Sequence, residues 1–505
     1  MRTPPVLPVT ADPGRGLVAA LGLGAMVVSM MQTLVVPVLG TVQRDLNASA
    51  ADVSWLTTAT LLSAAVCTPL LGRAGDQYGR RPVLLGALAL TLIGSVLAAL
   101  SATLPLLIAG RALQGASTAV FPLAQAVLRD ELPARRLPAA MGTVSGTLAF
   151  GNGLALVGAG LLTTGPAPDY HRVFWLAAAM SALSLAAVAA VVPPSRVTTG
   201  GRLDWLGALG LATTLVLLML PLSRGTVWGW TSAPTLGCLA AGALAAAAWI
   251  RVERAAADPL VDVRMLVHRP VLFANLAGLL LGYAMFSQFI LVSALVQIPP
   301  AAGYGFGASV LRASVQYLLP PALASLAAAR LGGLLVRRTG PRRTLAMGAA
   351  VGAVGFALSA TAHGRGALVV GAAVLVGVAI AFGFTALPAA LLTAVPPEHT
   401  GAANGVNSVA RSVGSSLAGA LVATLVAAGP PGHAPAESRF TLCFALAAGA
   451  FVLVAAFARF GMTTPGGGIV SRHDAQEVST AGPVRPLTPI STPPEGTQVV
   501  PGPER

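Results

Sequence analysis

Apolar segments long enough to cross a lipid bilayer recur along nearly the whole of this chain. A helix needs roughly 20 apolar residues to span the hydrocarbon layer, and fourteen segments meet that length. We predict spans at 16–40, 53–72, 82–102, 104–128, 139–164, 171–193, 205–223, 233–250, 270–298, 308–335, 344–363, 366–394, 402–427 and 438–460. Only 10% of the residues are charged, against about 25% in soluble proteins. The sequence therefore predicts an all-α, multi-pass membrane protein.

The basic residues are distributed unevenly between the two sides of these spans. All of them are Arg, and they concentrate in every second connection, as at Arg80, Arg81, Arg342 and Arg343. Positively charged connections stay in the cytoplasm. We therefore expect both termini to be cytoplasmic. The Ala-, Gly- and Arg-rich composition without Lys is typical of a GC-rich bacterial genome, and we expect the chain to lie in a bacterial plasma (inner) membrane. The net charge of +14 indicates topology and not a nucleic-acid-binding face.

Several classes of activity conflict with the residues present. A phosphate-binding P-loop requires Lys, and the chain contains none, so we expect no ATP site. Cys67, Cys238 and Cys443 are far apart inside apolar runs, without the spacing of metal ligands. We expect no enzymatic activity, cofactor, metal or nucleic acid. The expected partners are a small-molecule substrate and the lipid bilayer, and the expected state is a monomer.

Two parts of the chain repeat each other. The sequence GRAGDQYGRRPVL from Gly72 parallels GLLVRRTGPRRTL from Gly333. Two six-helix halves explain this repeat, and such halves place a substrate site near the midplane between them. We predict a cytoplasmic segment at 1–15, a six-helix bundle at 16–193, two linking helices with their loops at 194–269, a second six-helix bundle at 270–460 and a disordered cytoplasmic tail at 461–505.

These motifs resemble those of a known family. GRAGDQYGRR is similar to the connection between spans 2 and 3 of major facilitator transporters, and GRALQG at Gly110–Gly115 is similar to their span-4 motif. With fourteen spans, the chain resembles the 14-span drug:proton antiporters of the multidrug efflux type. The resemblance implies the major facilitator fold, with two six-helix bundles plus two extra central helices. It also implies export of hydrophobic or amphiphilic small molecules by alternating access, coupled to protons.

The connection after span 2 is a candidate gating element. The carboxylate of Asp76 can accept charge-assisted hydrogen bonds from Arg, and the resemblance implies that this cluster latches the outward-facing state. A simpler alternative is that the arginines only fix topology while Asp76 is solvated. The candidate gating residues of the two repeats are Gly72, Asp76, Gly79, Arg80, Arg81, Gly333 and Gly340.

Polar residues inside the predicted spans are candidates for the substrate pathway or for coupling. Arg111 leads them, because a charge within a bilayer normally faces the bundle interior. We predict it to be the fixed charge of the first half that attracts anionic cargo. Helical spacing places Gln114 and Thr118 on its face, and a second polar stripe follows span 13. These side chains either line a cavity or join helices. The remaining candidates are Gln32, Asn152, Tyr283, Gln288, Asn404, Asn407 and Arg411.

The acidic residues and histidines set the remaining alternatives. All 17 Asp and Glu and all 6 His fall in loops or at the ends of predicted spans, so the sequence identifies no proton carrier at the midplane. A cavity without fixed negative charge suits neutral or anionic compounds better than cations. Export of a specific metabolite or lipid precursor is the alternative cargo, and a membrane sensor or scaffold is the alternative class of protein.

Overall fold

The computed structural model describes residues 13–133, 135–163, 169–195, 204–256, 263–361, 364–395, 400–427 and 435–462. Within these ranges, fourteen helices are long and apolar enough to cross a membrane, judged by length and composition. We call them spans 1 to 14. They comprise Pro13–Thr33, Trp55–Tyr78, Arg80–Ala99, Leu104–Glu131, Leu137–Leu162, His171–Val191, Trp205–Trp228, Ala233–Ala255, Arg269–Gln297, Val310–Thr339, Pro341–Thr361, Gly366–Ala394, Thr400–Ala427 and Glu437–Gly461. The predicted fold class and the number of spans are confirmed.

Two predicted spans differ from the regular α-helices for identifiable reasons. Regular α-helix in span 1 ends at Thr33 and not at residue 40, and a 3₁₀ turn follows at Val36–Val38. Pro37 lies in that turn, and proline lacks the N–H group that an α-helix needs. Span 2 continues to Tyr78, so Asp76 lies on a helix and not in the loop that we predicted. The apolar run stops earlier because polar residues begin there, although the helix continues.

Two spans contain a change of helical winding, near the middle of span 4 and near the start of span 10. Span 4 contains a 3₁₀ segment at Gly115–Ala119, between helices Leu104–Gln114 and Val120–Glu131. Span 10 contains a π segment at Ala313–Leu318, before helix Leu319–Thr339. Pro320 and Pro321 follow directly, and a proline ring clashes with the carbonyl four residues earlier in an α-helix. Such irregular turns are often found at functional sites.

The predicted internal repeat is also visible in the packing. Spans 1 to 6 contact one another in the same pairs as spans 9 to 14: span 1 packs on span 5 as span 9 packs on span 13, and span 3 packs on span 6 as span 11 packs on span 14. The side chain of Arg81 donates to the Ala189 carbonyl at 2.8 Å, and that of Arg342 donates to the Arg459 carbonyl at 2.9 Å. Equivalent arginines thus tie span 3 to span 6 and span 11 to span 14. We call these sets of six the first and second bundles.

The two bundles meet along two seams, span 5 against span 10 and span 2 against span 13. Gly146 lies so close to span 10 that a Cβ on it would be 2.5 Å from the Ala329 Cβ. At the other end of span 5, a Cβ on Gly160 would be 3.8 Å from the Leu311 Cβ. A Cβ on Gly153 would likewise be 2.5 Å from the Ala322 Cβ, so glycine permits close helix approach along this seam, as small residues do in membrane interfaces.

Spans 7 and 8 lie beside the second seam. Span 7 contacts spans 2 and 13, and span 8 contacts span 7. Leu244 in span 8 is 73% exposed; an exposed apolar helix face of this kind fits a lipid environment.

We call the end of the spans near the turn at Gly79 the Gly79 end, and we call the opposite end the Trp230 end.

The predicted domain boundaries stay predictions. The segment at 1–12 and most of the predicted tail, 463–505, lie outside the described residues. The first two residues that we assigned to the tail, Gly461 and Met462, are described, and Gly461 ends a π segment that begins at Phe457.

Candidate substrate site

A cavity lies between the two bundles, near the middle of their spans. Its walls come from spans 1, 2, 4 and 5 of the first bundle and spans 9, 12 and 13 of the second. Hydroxyl, amide, aliphatic and aromatic groups alternate around it. The residues that line it are Val28, Ser29, Gln32, Leu61, Thr118, Phe121, Leu148, Asn152, Met285, Phe384, Ser408, Arg411, Ser412 and Ser415. An apolar pocket with a few placed polar groups is the usual form of a small-molecule site.

Arg411 provides the formal charge on this cavity wall. It lies in span 13 and is only 8% exposed. Its Nη1 donates to the Asn407 Oδ1 at 2.7 Å, and its Nη2 donates to the Ser408 Oγ at 3.1 Å. The guanidinium carbon lies 5.4 Å from the ring centre of Phe121 and 5.2 Å from that of Phe384, within the range of a cation–π interaction. These partners are neutral, so they orient the guanidinium without cancelling its charge.

Phe121 and Phe384 also line the cavity and contact each other across the bundle interface. Their ring centres are 6.2 Å apart in an edge-to-face arrangement. Phe121 belongs to the first bundle and Phe384 to the second. The Ser145 Oγ in span 5 donates to the Phe384 carbonyl at 2.9 Å, which adds a hydrogen bond between the bundles at the same level. Separation of the two bundles at this level requires these contacts to break.

A second cavity shares Asn152 and Met285 with the first. Gln288 lines it and is 5% exposed. Neither its amide oxygen nor its amide nitrogen has a hydrogen-bond partner among the described residues. A buried amide without partners costs about 1–3 kcal/mol, so a cargo that satisfies both atoms would recover part of that energy.

Arg111 and Gln114 lie away from both cavities. Arg111 is 1% exposed, and its Nε donates to the Leu56 carbonyl at 3.0 Å. Its Nη1 donates to the Gln114 Oε1 at 2.6 Å, and the Gln114 Nε2 donates to the Ser95 Oγ at 2.9 Å. These bonds join span 4 to spans 2 and 3. The assignment of Arg111 and Gln114 to the substrate pathway stays a prediction, and Thr118 is the member of this stripe on the cavity wall.

The polar stripe of span 13 serves both of the purposes that we considered. Ser408, Arg411 and Ser415 line the cavity. Asn407 is fully buried, and its Nδ2 donates to the Ala274 carbonyl in span 9 at 3.0 Å. Asn404 is also buried and is not among the lining residues.

Four further candidates lie in spans 1, 5 and 9. Gln32 and Asn152 line the first cavity, and Asn152 and Gln288 line the second. Tyr283 is buried in the packed core of the second bundle, and neither cavity includes it. The structure thus brings Gln32, Thr118, Asn152, Gln288 and Arg411 together at the bundle interface.

The candidate gating residues form a network at the Gly79 end. Asp76 is 5% exposed and pairs with Arg80 at 3.3 Å. Arg80 also pairs with Asp130 of span 4, and the Arg81 backbone N–H donates to the Ser195 Oγ at 2.9 Å. Gly79 has φ of +101°, a conformation that favours glycine. Asp76 is therefore buried and paired, in contrast to the solvated alternative.

The corresponding glycines of the second bundle occupy similar positions. Gly340 separates spans 10 and 11 with φ of +84°. Gly333 lies within span 10, where an added Cβ would be 2.6 Å from the Pro138 carbonyl oxygen of the first bundle. Gly333 is thus a point of close contact between bundles.

Sequence reasoning missed the two phenylalanines beside Arg411 and the hydrogen bond from Ser145. A weak signal was present, because PLAQ from Pro122 parallels PAAL from Pro388, and Phe121 and Phe384 lie one and four residues before these prolines. Aromatic residues are common in apolar spans, so this position does not by itself indicate a site.

Comparisons with known proteins show which family has this architecture. The family model described as "Major Facilitator Superfamily" matches residues 21–419 and 295–494. "Multidrug resistance protein 3" of Bacillus subtilis is 28% identical over 79% of this chain and 77% of its own length. "Tetracenomycin C resistance and export protein" of Streptomyces glaucescens is 27% identical over 81% of this chain and 75% of its own length. The crystal structure of the human organic anion transporter MFSD10 covers 89% of this chain and 100% of its own, with 15% identity and a TM-score of 0.62, a likeness of fold alone.

Proposed function

Because the chain belongs to the major facilitator superfamily, we propose that it exports hydrophobic or amphiphilic small molecules through the cavity between its bundles. The relatives named for multidrug resistance and for tetracenomycin C export support the direction of transport and the chemical range of the cargo. The resemblance implies exchange against protons. We further propose a monomer in the bacterial inner membrane, with both termini cytoplasmic, without enzymatic activity and without a requirement for ATP.

The observation that carries this proposal is the position of the cavity. Both bundles contribute to its wall, so a change in their relative tilt changes access to it. Its lining combines Met285, Phe121 and Leu148 with hydroxyl and amide groups. Apolar contacts of this kind tolerate cargoes of different shape, because they do not depend on direction.

The proposed cycle alternates between opening at the Gly79 end and opening at the Trp230 end. We assign closure of the Gly79 end to the Phe121–Phe384 contact and to the Ser145 hydrogen bond, both of which join the two bundles. The Asp76–Arg80–Asp130 network holds spans 2, 3 and 4 together at that end. If the Gly79 end is cytoplasmic, as the arginine distribution predicts, the cargo enters when these contacts break and leaves after they form again.

Transport by inverted membrane vesicles tests the proposal. The probe is N-phenyl-1-naphthylamine, a neutral amphiphile whose fluorescence reports its environment. We expect vesicles that contain the protein to accumulate the probe when an energy source is supplied. Asn152→Leu, which removes a polar group from both cavity walls, should change the half-saturating probe concentration while expression stays unchanged. Equal accumulation in vesicles with and without the protein would contradict export of this class of compound.

A further inference from the structure

The wall of the central cavity carries one formal charge, and that charge is positive. Of the fourteen residues that line it, thirteen are uncharged and the other is Arg411. Attraction between opposite charges is much stronger away from water than in it. A cavity of this composition therefore favours a cargo with one negative group and an otherwise uncharged body.

The contacts of Arg411 leave its guanidinium available to such a cargo. An arginine has five N–H groups, and two of them donate to Asn407 and Ser408. The other three have no acceptor among the residues that the structure describes. A planar fork of N–H groups matches carboxylate and sulfonate oxygens better than an ammonium does. The hydrogen bonds within span 13 hold the fork in place, so little orientational freedom is lost when an anion binds.

The rings beside Arg411 define the rest of the cargo. Phe121 and Phe384 come from opposite bundles and lie 5.4 and 5.2 Å from the guanidinium carbon. An aromatic body next to the anionic group can pack against either ring. The anion and the aromatic body would thus be recognised together, at a point that both bundles contact.

We propose that the cavity carries aromatic organic anions in their ionised form, paired with Arg411, so that export moves one negative charge outward per molecule. This inference rests on the proposed function. No bond is made or broken, and Arg411 stays protonated throughout the cycle. A membrane potential that is negative inside then drives export of the anion, and this contribution adds to that of any proton exchanged.

Two probes that differ by a single charged group test the inference. 1-Anilinonaphthalene-8-sulfonate is permanently anionic, and N-phenyl-1-naphthylamine is the same molecule without the sulfonate. The purified full-length protein is placed in proteoliposomes, and valinomycin with potassium gradients sets the potential without a pH gradient. For a cargo that moves one net charge, a membrane potential of roughly 100 mV sustains a concentration gradient of at most about 50-fold. Initial rates are corrected for protein-free liposomes.

We expect the anionic probe to move toward the positive side of the membrane. Its transport should carry one more negative charge per molecule in that direction than transport of the neutral probe. A difference of zero would overturn the inference, as would transport of the neutral probe alone. Transport of neither probe would instead count against the proposed function. The charge per molecule comes from the potential at which net protein-dependent flux of each probe reverses.

Matched substitutions at the two buried arginines assign the effect to the cavity. Arg411→Gln should lower transport of the anionic probe at least tenfold more than it lowers transport of the neutral probe. Arg111→Gln removes the same charge from a site that lines neither cavity. We therefore expect it to affect both probes alike, in contrast to the sequence-based prediction that Arg111 attracts the anion. Arg411→Lys keeps the charge without the fork and should retain part of the anion transport; this variant maintains the test if Arg411→Gln does not fold. Equal losses of both probes in Arg411→Gln and Arg411→Lys would overturn the assignment.

Discussion

A substitution at Gly146 should shift the equilibrium between the conformations of the two bundles by an amount that the structure lets us estimate. In the closed seam, a methyl group on residue 146 would lie 2.5 Å from the Ala329 Cβ. Methyl groups make ordinary contacts near 3.5–4 Å, so spans 5 and 10 would have to separate by roughly 1 Å. Overpacking of this kind costs about 1–3 kcal/mol, which corresponds to a change of about 5- to 150-fold in an equilibrium constant. Gly146→Ala should therefore disfavour the conformation that is closed at the Gly79 end.

The assay measures how fast a single cysteine in the cavity reacts from the Gly79 end. Ser412→Cys, on the cavity wall, is introduced into a chain without Cys67, Cys238 and Cys443, and an impermeant maleimide is applied to inverted vesicles. Gly146→Ala should raise the labelling rate by the factor above, up to the point where most molecules are open.

Gly160→Ala is the matched control on the same helix. A Cβ there would be 3.4 Å from the Leu311 Cδ1 and 3.5 Å from the Leu311 Cα, so the neighbouring helix has to move little. We expect its labelling rate to match the parent. If Gly146→Ala also labelled at the parent rate, the closed seam would not be part of the gate.

Three further predictions concern charge, polarity and topology. Asp76→Asn should leave expression near that of the parent while transport falls severely, because the buried Asp76–Arg80 pair loses its charge; unchanged transport at equal expression would reduce this cluster to a topology signal. Gln288→Leu should raise the half-saturating concentration of cargoes with amide or hydroxyl groups without lowering the unfolding temperature, since the parent amide has no partner among the described residues; a lower unfolding temperature would show that it has one. Single cysteines at Thr226 and after Pro299 should react with impermeant reagents from outside the cell, and one at Thr339 from inside, whereas cytoplasmic labelling of the cysteine at Thr226 would overturn the fourteen-span topology.

Hydropathy predicts the spans of this protein well because lipid imposes a minimum length on every crossing. Span 12 was predicted at 366–394 and lies at Gly366–Ala394. The extension of span 2 to Tyr78 could not be predicted in this way. Polar residues end an apolar run but do not end a helix, and the turn comes only at Gly79 with its positive φ.

The site was harder to predict than the fold because burial in a span does not say which way a side chain faces. Arg111 and Arg411 both lie within predicted spans, and both are buried. Helix packing turns Arg411 toward the cavity and leaves Arg111 bonded to Leu56 and Gln114. Tyr283 and Gln288 are five residues apart in span 9 and differ in the same way. The direction in which each side chain faces depends on contacts between segments that are distant in the sequence. The periodicity of residues within one span does not report these contacts.

A reversible crosslink between the bundles tests the central claim, that cargo crosses through a cavity opened and closed by their relative motion. Built on Gly160, a Cβ lies 3.8 Å from the Leu311 Cβ, which is the mean separation of Cβ atoms in a disulfide. The double variant Gly160→Cys, Leu311→Cys is made without the three native cysteines and assayed with N-phenyl-1-naphthylamine. We predict that oxidation stops transport, that reduction restores it and that neither single variant responds. Transport at the parent rate with the disulfide fully formed would contradict the account.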